Sequence, residues 1–510
     1  RDASLMLATL LAQAGDWVAP TIDWHAVAPL VVLAIGINVI LALDLQLPES
    51  KKWMISTITG FVLLGAFVPV VTLAVIGDDT RSMFGGRFVV DDYSLVLTGL
   101  FLLAAYVVVL MSQTELEEGG YYQGEFYVLM LCSVLGMVMM ASARDLVSIF
   151  VALELLSIPA YMMAAWNKRN QKSNEAGVKY YLLGVFASAI LLYGMSLLFG
   201  VTGSTLLTDI GASLLDGDLI GLEVVAVVFV ICGFAFKISA VPFHQWAPDT
   251  YEGAPTPVTA FFSVATKAAG FVALMSVVFI AFPGADAVYE PLIWVMAVLT
   301  MTIGNVLALR QTNIVRMLAY SSVSQGGFIL MPLAFAGDPA VGASALNAVV
   351  VYLVVYAFMN LGAFAVVIAV TRKTRSGEIS SFGGLFSYAP GLTVAMTIFF
   401  ASLAGIPPLA GWFAKFNAFK AVLDAGTTSA YVMAGIAAVN TVIAAAYYMR
   451  VLRVAWMDEA PDGDTSPVNA PAPVLAAVAI TVIGTIVLGV LPNIVARVGA
   501  VDALTGAFSG

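Results

Sequence analysis

Charge is scarce in this chain: only 11% of its 510 residues are Asp, Glu, Lys or Arg. The usual ligands of metals and redox groups are scarcer still, with two cysteines and two histidines in the whole sequence. Cys132 and Cys232 both fall in apolar stretches, and His25 and His244 stand far apart. Iron-sulfur clusters and haem pairs need more ligands than that, so the chain is expected to bind no cofactor or metal of its own. No Gly-Lys dipeptide occurs, which removes the phosphate-cradling P-loop and with it direct use of ATP. The formal charge of -10 comes largely from loop carboxylates such as Asp78, Asp79, Glu115, Glu117, Glu118 and the Met457 to Ser466 stretch. With no basic groove, no nucleic-acid partner is expected.

What the chain has in abundance is hydrophobic sequence: 61% of its residues, with a mean hydropathy of +0.97. Apolar runs longer than about 18 residues are read as membrane-spanning helices, because the bilayer core requires backbone groups to bond internally. Punctuated by Gly, Pro and charge, these runs fall near 27–45, 53–76, 92–112, 122–141, 145–166, 174–200 and 222–246. The series continues near 257–281, 290–309, 313–336, 343–370, 390–424, 429–456 and 473–498. The expected fold is an all-α polytopic membrane protein of about fourteen spans. Arg1 to Gly15 reads either as a signal remnant or as an amphipathic lead-in.

An even number of spans puts both termini on one side. Lys51, Lys52, Lys168, Arg169, Lys172, Arg310, Arg316, Arg372, Lys373, Arg375, Arg450 and Arg453 collect on the other side, twelve basic residues against five. Basic loops stay cytoplasmic, so both termini are expected to face the periplasm of a bacterial plasma membrane. The remaining cations are Lys179, Lys237, Lys267, Lys415 and Lys420, all lysines and all inside apolar spans. Each costs roughly 2.5 to 3.5 kcal/mol at the middle of an isolated helix. Lysine can lose its charge there, whereas arginine cannot, and that difference favours proton transfer over charge anchoring.

Only one carboxylate, Glu154, lies deep in a span. Counted from the span ends, Glu154, Lys237, Lys267 and Lys415 sit about 14 to 18 Å into the membrane, near its middle. A static buried ion pair is the alternative reading for these groups. Lys179 either joins the row or snorkels to the headgroups, and Lys420 reads as a snorkelling anchor. His244 suits both a proton relay and a structural turn. Asn360 and Asn440 read as interhelical hydrogen-bonding residues, and Ser321, Ser322, Ser324 and Gln325 of span 10 offer hydroxyls and an amide but no second glutamate.

Two spans are interrupted by proline close to a buried lysine: span 7 by Pro242 after Lys237, and span 12 by Pro407 and Pro408 before Lys415. Freed carbonyls are tolerated at this depth only where they line protein or water. If spans 4–8 (122–281) form one unit and spans 9–13 (290–456) another, the broken helix is fourth in each. Five spans per unit inverts the second relative to the first, as in ion-moving proteins built from inverted repeats. Residues 1–121 then hold spans 1–3, and 473–510 hold span 14.

At these residues the sequence resembles the antiporter-like subunits of respiratory complex I, a family shared with Mrp-type cation/proton antiporters and membrane-bound hydrogenases. The pieces that carry the resemblance are Glu154 in Leu153-Glu154-Leu155-Leu156-Ser157, Lys237 ahead of Val241-Pro242-Phe243-His244-Gln245-Trp246, Lys267 in Ala265-Thr266-Lys267-Ala268, and Gly405 to Pro408 leading to Lys415. The lysine in span 12 sets it apart from M-type and D-type members, and Lys267 aligns it with the N-type; L-type members continue into a lateral helix after the antiporter core. The resemblance implies proton translocation driven by quinone reduction, with Glu154 paired to Lys179 or Lys237, Lys267 as central relay and Lys415 leading to the exit. It implies FMN, iron-sulfur clusters and quinone in other subunits, with K-like and M-like membrane subunits and lipids as partners. A subunit of a multi-chain Na+/H+ antiporter or a membrane-bound hydrogenase is the alternative.

Overall fold

The computed structural model describes residues 20–76, 80–119, 123–215, 221–499 and 504; the Arg1 to Gly15 segment, Asp78 and Asp79 lie outside them. Seven spans make up the first half: α1 (Ala28–Gln46), α2 (Trp53–Ile76), α3 (Asp92–Gly119), α4 (Gln123–Ser142), α5 (Leu146–Ala164), α6 (Gln171–Thr202) and the broken pair α7a (Leu222–Lys237) and α7b (Trp246–Gly253). The second half comprises α8 (Thr256–Ala281), α9 (Asp286–Ala308), α10 (Ile314–Phe335), α11 (Gly342–Thr374), α12a (Pro390–Ala404) with α12b (Ala410–Asp424), α13 (Thr428–Met457) and α14 (Ala472–Val490). Among the described residues twelve continuous helices are long and apolar enough to cross a membrane, and the two broken ones complete fourteen. The exposed faces carry Phe61, Val68, Phe186 and Val442, as expected where lipid is the solvent. Three helices are enclosed by the rest: nearly all of α8 and α10 and most of α11 are buried.

Local devices recur in α4–α5 and α9–α10 at one constant sequence offset. A Cβ on Gly136 would stand 2.6 Å from Leu156 N and 2.7 Å from Ala152 O; one on Gly304 would stand 2.7 Å from Ser324 N and 3.0 Å from Tyr320 O. Only a glycine allows the backbones to approach so closely. The Asp145 carboxylate caps α5 by accepting from Val147 N and Ser148 N, and the Asn313 amide caps α10 from Val315 N and Arg316 N. Such caps satisfy backbone donors left open at a helix start. Leu146 N–H donates to Thr205 O, and Ile314 N–H to Gly377 O, both at 2.8 Å. The same offset carries Glu154 onto Ser322.

Several boundaries differ from the sequence reading. α3 runs on through Glu115, Glu117 and Glu118 to Gly119; these carboxylates are on a helix and not in a loop, because Glu, Leu and Gln favour helix and no breaker precedes the glycine. The last span ends at Val490, where Pro492 begins a separate short helix, Pro492–Gly499. Between α2 and α3 a two-stranded hairpin pairs Arg81–Met83 with Phe88–Val90, turning at Gly85 and Gly86, both at positive φ. A short helix, Leu207–Leu215, follows α6. α8 is interrupted by two π-helical segments, Phe262–Thr266 and Val277–Ala281.

Candidate functional site

Both broken helices open where the sequence places proline. α7a ends at Lys237; Ser239 then adopts φ +58, a region that side chains seldom occupy. The opening is held by Trp246 Nε1, which donates to Phe236 O at 2.9 Å, and by Val241 N, which donates to Thr300 Oγ1 of α9 at 2.9 Å. α12a ends on Gly405 at φ +91, and Gly411 N, at the start of α12b, donates to Ser402 Oγ at 3.0 Å. A Cβ on Gly411 would lie 1.9 Å from Ser402 O, so the two half-helices meet only across a glycine.

The Lys237 ammonium is buried with no hydrogen-bond partner. It stands 5.3 Å from the ring centre of Tyr161 and 5.6 Å from that of Tyr180, between two aromatic faces that attract a cation. Tyr161 lies two turns beyond Glu154 on the same face of α5. Glu154 Oε1 is likewise buried without a hydrogen-bond partner. The two residues named as a pair therefore share neighbours, but no ion pair within 4 Å joins them. Lys179 does not turn to Glu154: its ammonium meets Asp249 Oδ2 and Glu175 Oε1, each at 2.7 Å, with 41% of its side chain exposed. That cluster extends through Arg316 to Asp249 and Glu252. Lys179 is near enough to the end of α6 for water to reach it, and the carboxylates at the ends of α6 and α7b outcompete a half-buried glutamate.

From Lys237 the polar path passes to Lys267. Gly270, on the next turn of α8, packs against Lys237 Cβ at a spacing that would leave a methyl group 2.9 Å away. Lys267 Nζ donates to both Ser322 O and Ser322 Oγ of α10 at 2.6 Å. The residue at the position matching Glu154 is thus a neutral acceptor for the central lysine. One position back, Ser321 Oγ meets Tyr448 OH at 2.5 Å. One turn on, Gln325 Nε2 donates to Leu403 O at 3.2 Å and Tyr352 OH donates to Gln325 Oε1 at 2.5 Å. Leu403 neighbours Ala404, whose carbonyl accepts from Lys415 Nζ at 3.0 Å. Lys415 thus sits at the carbonyl end of α12a, where the helix dipole favours a cation, with its ammonium 4.9 Å from the Phe328 ring centre.

Lys237, Lys267 and Lys415 are brought into one row across α7, α8, α10 and α12, while Lys179 and His244 stand beside it. His244 is half-buried with Nδ1 unpartnered. Lys420 is exposed and pairs with Asp424 at 2.6 Å. Asn360 joins α11 to α8 through Ser263 at 2.7 Å, and Asn440 joins α13 to α9 through Asn305 at 3.0 Å. Sequence reasoning gave Tyr352 and Tyr448 no part, because a tyrosine in an apolar span reads first as packing or as a membrane-interface anchor. Gln325 was visible as a lone amide in span 10, but nothing in the sequence indicates its partner in span 12.

A sequence model of the family described as "NADH:quinone oxidoreductase/Mrp antiporter, TM" matches residues 143–444. The chain is 39% identical over 484 residues to NADH-quinone oxidoreductase subunit N of Trichlorobacter lovleyi, covering 93% of this chain and 96% of that one. Among solved structures it is similar to a chain of respiratory complex I from Thermus thermophilus with bound aureothin, at 30% identity and a TM-score of 0.74, covering 93% of this chain and 100% of that chain. Its fold is also that of a chain of the Mrp complex from a Dietzia species, at 21% identity and a TM-score of 0.83, covering 95% and 98%.

Proposed function

From a chain that belongs to the NADH:quinone oxidoreductase/Mrp antiporter family of membrane proteins, we infer a proton-translocating membrane subunit of an NADH:quinone oxidoreductase. The observation that carries this reading is the row of buried amines, Lys237, Lys267 and Lys415, linked through Ser322, Gln325 and two half-helix ends. A lysine amine can release its proton inside a protein, which an arginine guanidinium cannot. Each lysine also rests on neutral acceptors or aromatic faces, so no fixed anion holds its charge in place. Loss of a proton at one site changes the field at the next through a low-dielectric interior, which is how a charge shift imposed at one end travels along the row.

Glu154 stands at the α5 end as the anionic member, and its separation from Lys237 suits a pair that closes and opens as protons pass. Redox chemistry belongs to other subunits in this reading, since two cysteines and two histidines leave little to ligate iron. K-like and M-like membrane subunits are the proposed neighbours. The twelve-to-five basic split orients the loops of α1–α2, α5–α6 and α9–α10 to the cytoplasm of a bacterial plasma membrane and both termini to the periplasm. The units 122–281 and 290–456 act as the two transport repeats.

The test is proton uptake by inverted membrane vesicles energised with NADH, compared at equal assembled complex. Glu154→Gln and Lys237→Met should each sharply lower uptake while the complex still assembles. In the double mutant no uncompensated charge remains, so assembly should improve and uptake should not. Wild-type uptake in the double mutant would assign the pair to packing alone. Uptake that requires sodium would favour a cation/proton antiporter.

A further inference from the structure

α2, α3, α11 and α14 leave a cavity of about 660 Å³ between them, within the roughly 300 to 1,000 Å³ of small-molecule sites. On α3 its wall runs from Asp92 to Val107, about 22 Å along the helix axis. That is more than half of the roughly 30 Å hydrocarbon core. α2 borders it in the opposite sense, from Leu64 at depth to Val75 at the membrane face where α3 begins. Two glycines keep the space clear. Gly99 presents no side chain to it, and Gly484 of α14 receives the Phe358 ring, where a Cβ would lie 2.3 Å from Phe358 Cδ1.

The lining is apolar but for Asp92, Tyr106, Thr481 and Arg497. Thr481 Oγ1 already donates to Ala477 O at 2.7 Å, so the interior offers water too few polar partners to settle. A gap without atoms would forfeit dispersion contacts along its walls. Charge is confined to one end, where Asp92 begins α3 and Arg497 stands on the short helix Pro492–Gly499. That helix is seated on α11 through Gly499, where a Cβ would lie 2.4 Å from Val351 Cγ2. Asp92 and Arg497 are both exposed, and no ion pair joins either to another described residue. A cation and an anion at the mouth of a hydrocarbon-lined channel match a phospholipid whose headgroup carries both charges. A primary ammonium supplies N–H donors for the carboxylate, and the guanidinium supplies its own for the phosphate. A purely anionic headgroup would leave Asp92 facing charge of its own sign.

We propose that this cavity holds one acyl chain of a phosphatidylethanolamine molecule, with the headgroup phosphate on Arg497 and the ammonium on Asp92. The chain fills the space between the N-terminal spans and α11. Val354, Ala357 and Leu361 meet it from one face of α11, while Tyr352, Tyr356 and Asn360 lie on nearly the opposite face. The lipid therefore backs the helix whose other side bonds to Gln325 and Ser263. This site needs only a bilayer around the chain and stands independently of proton translocation.

The experiment uses the assembled complex in vesicles of phosphatidylethanolamine and phosphatidylglycerol, with a trace of phosphatidylethanolamine bearing a photoreactive diazirine at the end of one acyl chain. After irradiation, labelled peptides are mapped by mass spectrometry. Label should concentrate on the inner end of the α3 wall and on α11 near Val354 to Leu361, several-fold above the label at lipid-facing Phe186 of α6. Gly99→Leu, whose Cβ meets Phe67 no closer than 3.4 Å, should plug the channel and lower the α3 and α11 label several-fold, leaving Phe186 unchanged. Arg497→Gln, at the exposed mouth, should lower it too and keeps the test open if the plugged variant fails to assemble. A phosphatidylglycerol probe with the same chain should label the wild-type channel several-fold less. Label on α3 and α11 no higher than at Phe186 would overturn the site. Equal labelling by the two probes would overturn the headgroup assignment, and displacement of the label by an added long-chain quinone, with Phe186 unaffected, would give the channel to a quinone tail instead.

Discussion

Lys415 shows how one residue combines structure and chemistry. Its ammonium bonds to Ala404 O at the end of α12a, and its stem fills the space left by Gly405, where a Cβ would be 2.9 Å from Lys415 Cδ. Lys415→Arg keeps a cation at the helix end and removes a group able to release its proton. Assembly should be retained, while proton uptake in NADH-energised vesicles should fall by about a hundredfold or more, the usual scale for loss of a proton-transfer group. Unchanged uptake in that variant would mean that Lys415 stays charged throughout turnover. Glu154 contrasts with it: the position is readable from sequence as a lone deep carboxylate, but the gap to Lys237 is decided by Tyr161 and Tyr180, whose rings occupy the ammonium's surroundings.

At the scale of elements, the breaks in α7 and α12 are held open by specific contacts and not by looseness. Ser402 contributes twice in α12, accepting Gly411 N at 3.0 Å and presenting its backbone carbonyl so close that only glycine fits. Gly411→Ala should therefore push α12b away from α12a and break the Lys415 bond to Ala404 O. Blue-native electrophoresis should show reduced assembly, with a loss of stability on the order of 1 to 3 kcal/mol or more for an overpacked site. A fully assembled, fully active Gly411→Ala variant would contradict the close approach. The π-helical segment before Lys267 is a feature of the same scale that composition does not announce: Phe262–Thr266 are ordinary apolar and hydroxyl residues, and the altered winding emerges only with the neighbours of α8 in place.

Across the whole molecule, the face bearing the start of α3 is tied together by a buried ion pair. Arg144 Nη2 meets Asp91 Oδ2 at 2.8 Å, both side chains almost wholly enclosed, and Arg144 also donates through Nη1 to Ala141 O and Ala143 O. Arg144→Met alone leaves Asp91 buried and unpaired, a change of about 3 to 5 kcal/mol by analogy with broken buried pairs. Adding Asp91→Asn should return much of that loss, read as the thermal stability of the purified complex; equal stability of the single and double variants would show that the pair carries little. Orientation is tested at Gln171, exposed at the start of α6. Gln171→Cys should react with an impermeant reagent in inverted vesicles and resist it in intact cells, and the reverse pattern would turn the topology over.

The sequence by itself determined the fourteen spans, the two interruptions and the identity of the ionisable residues inside them. These depend on local quantities: the bilayer sets the length of an apolar run, proline removes a donor wherever it stands, and a lysine in such a run is costly whatever surrounds it. The short hairpin turning at Gly85 and Gly86 is too brief to stand out from a loop in the sequence. Only the tertiary structure decided who meets whom. Lys179 turned to Asp249 and Glu175, Lys267 to Ser322, and Gln325 to Leu403 O and Tyr352. Apart from Glu175, one turn before Lys179 on the same helix, those partners lie on other helices, and depth along a span says nothing about which face of the helix turns inward or which neighbour it finds there.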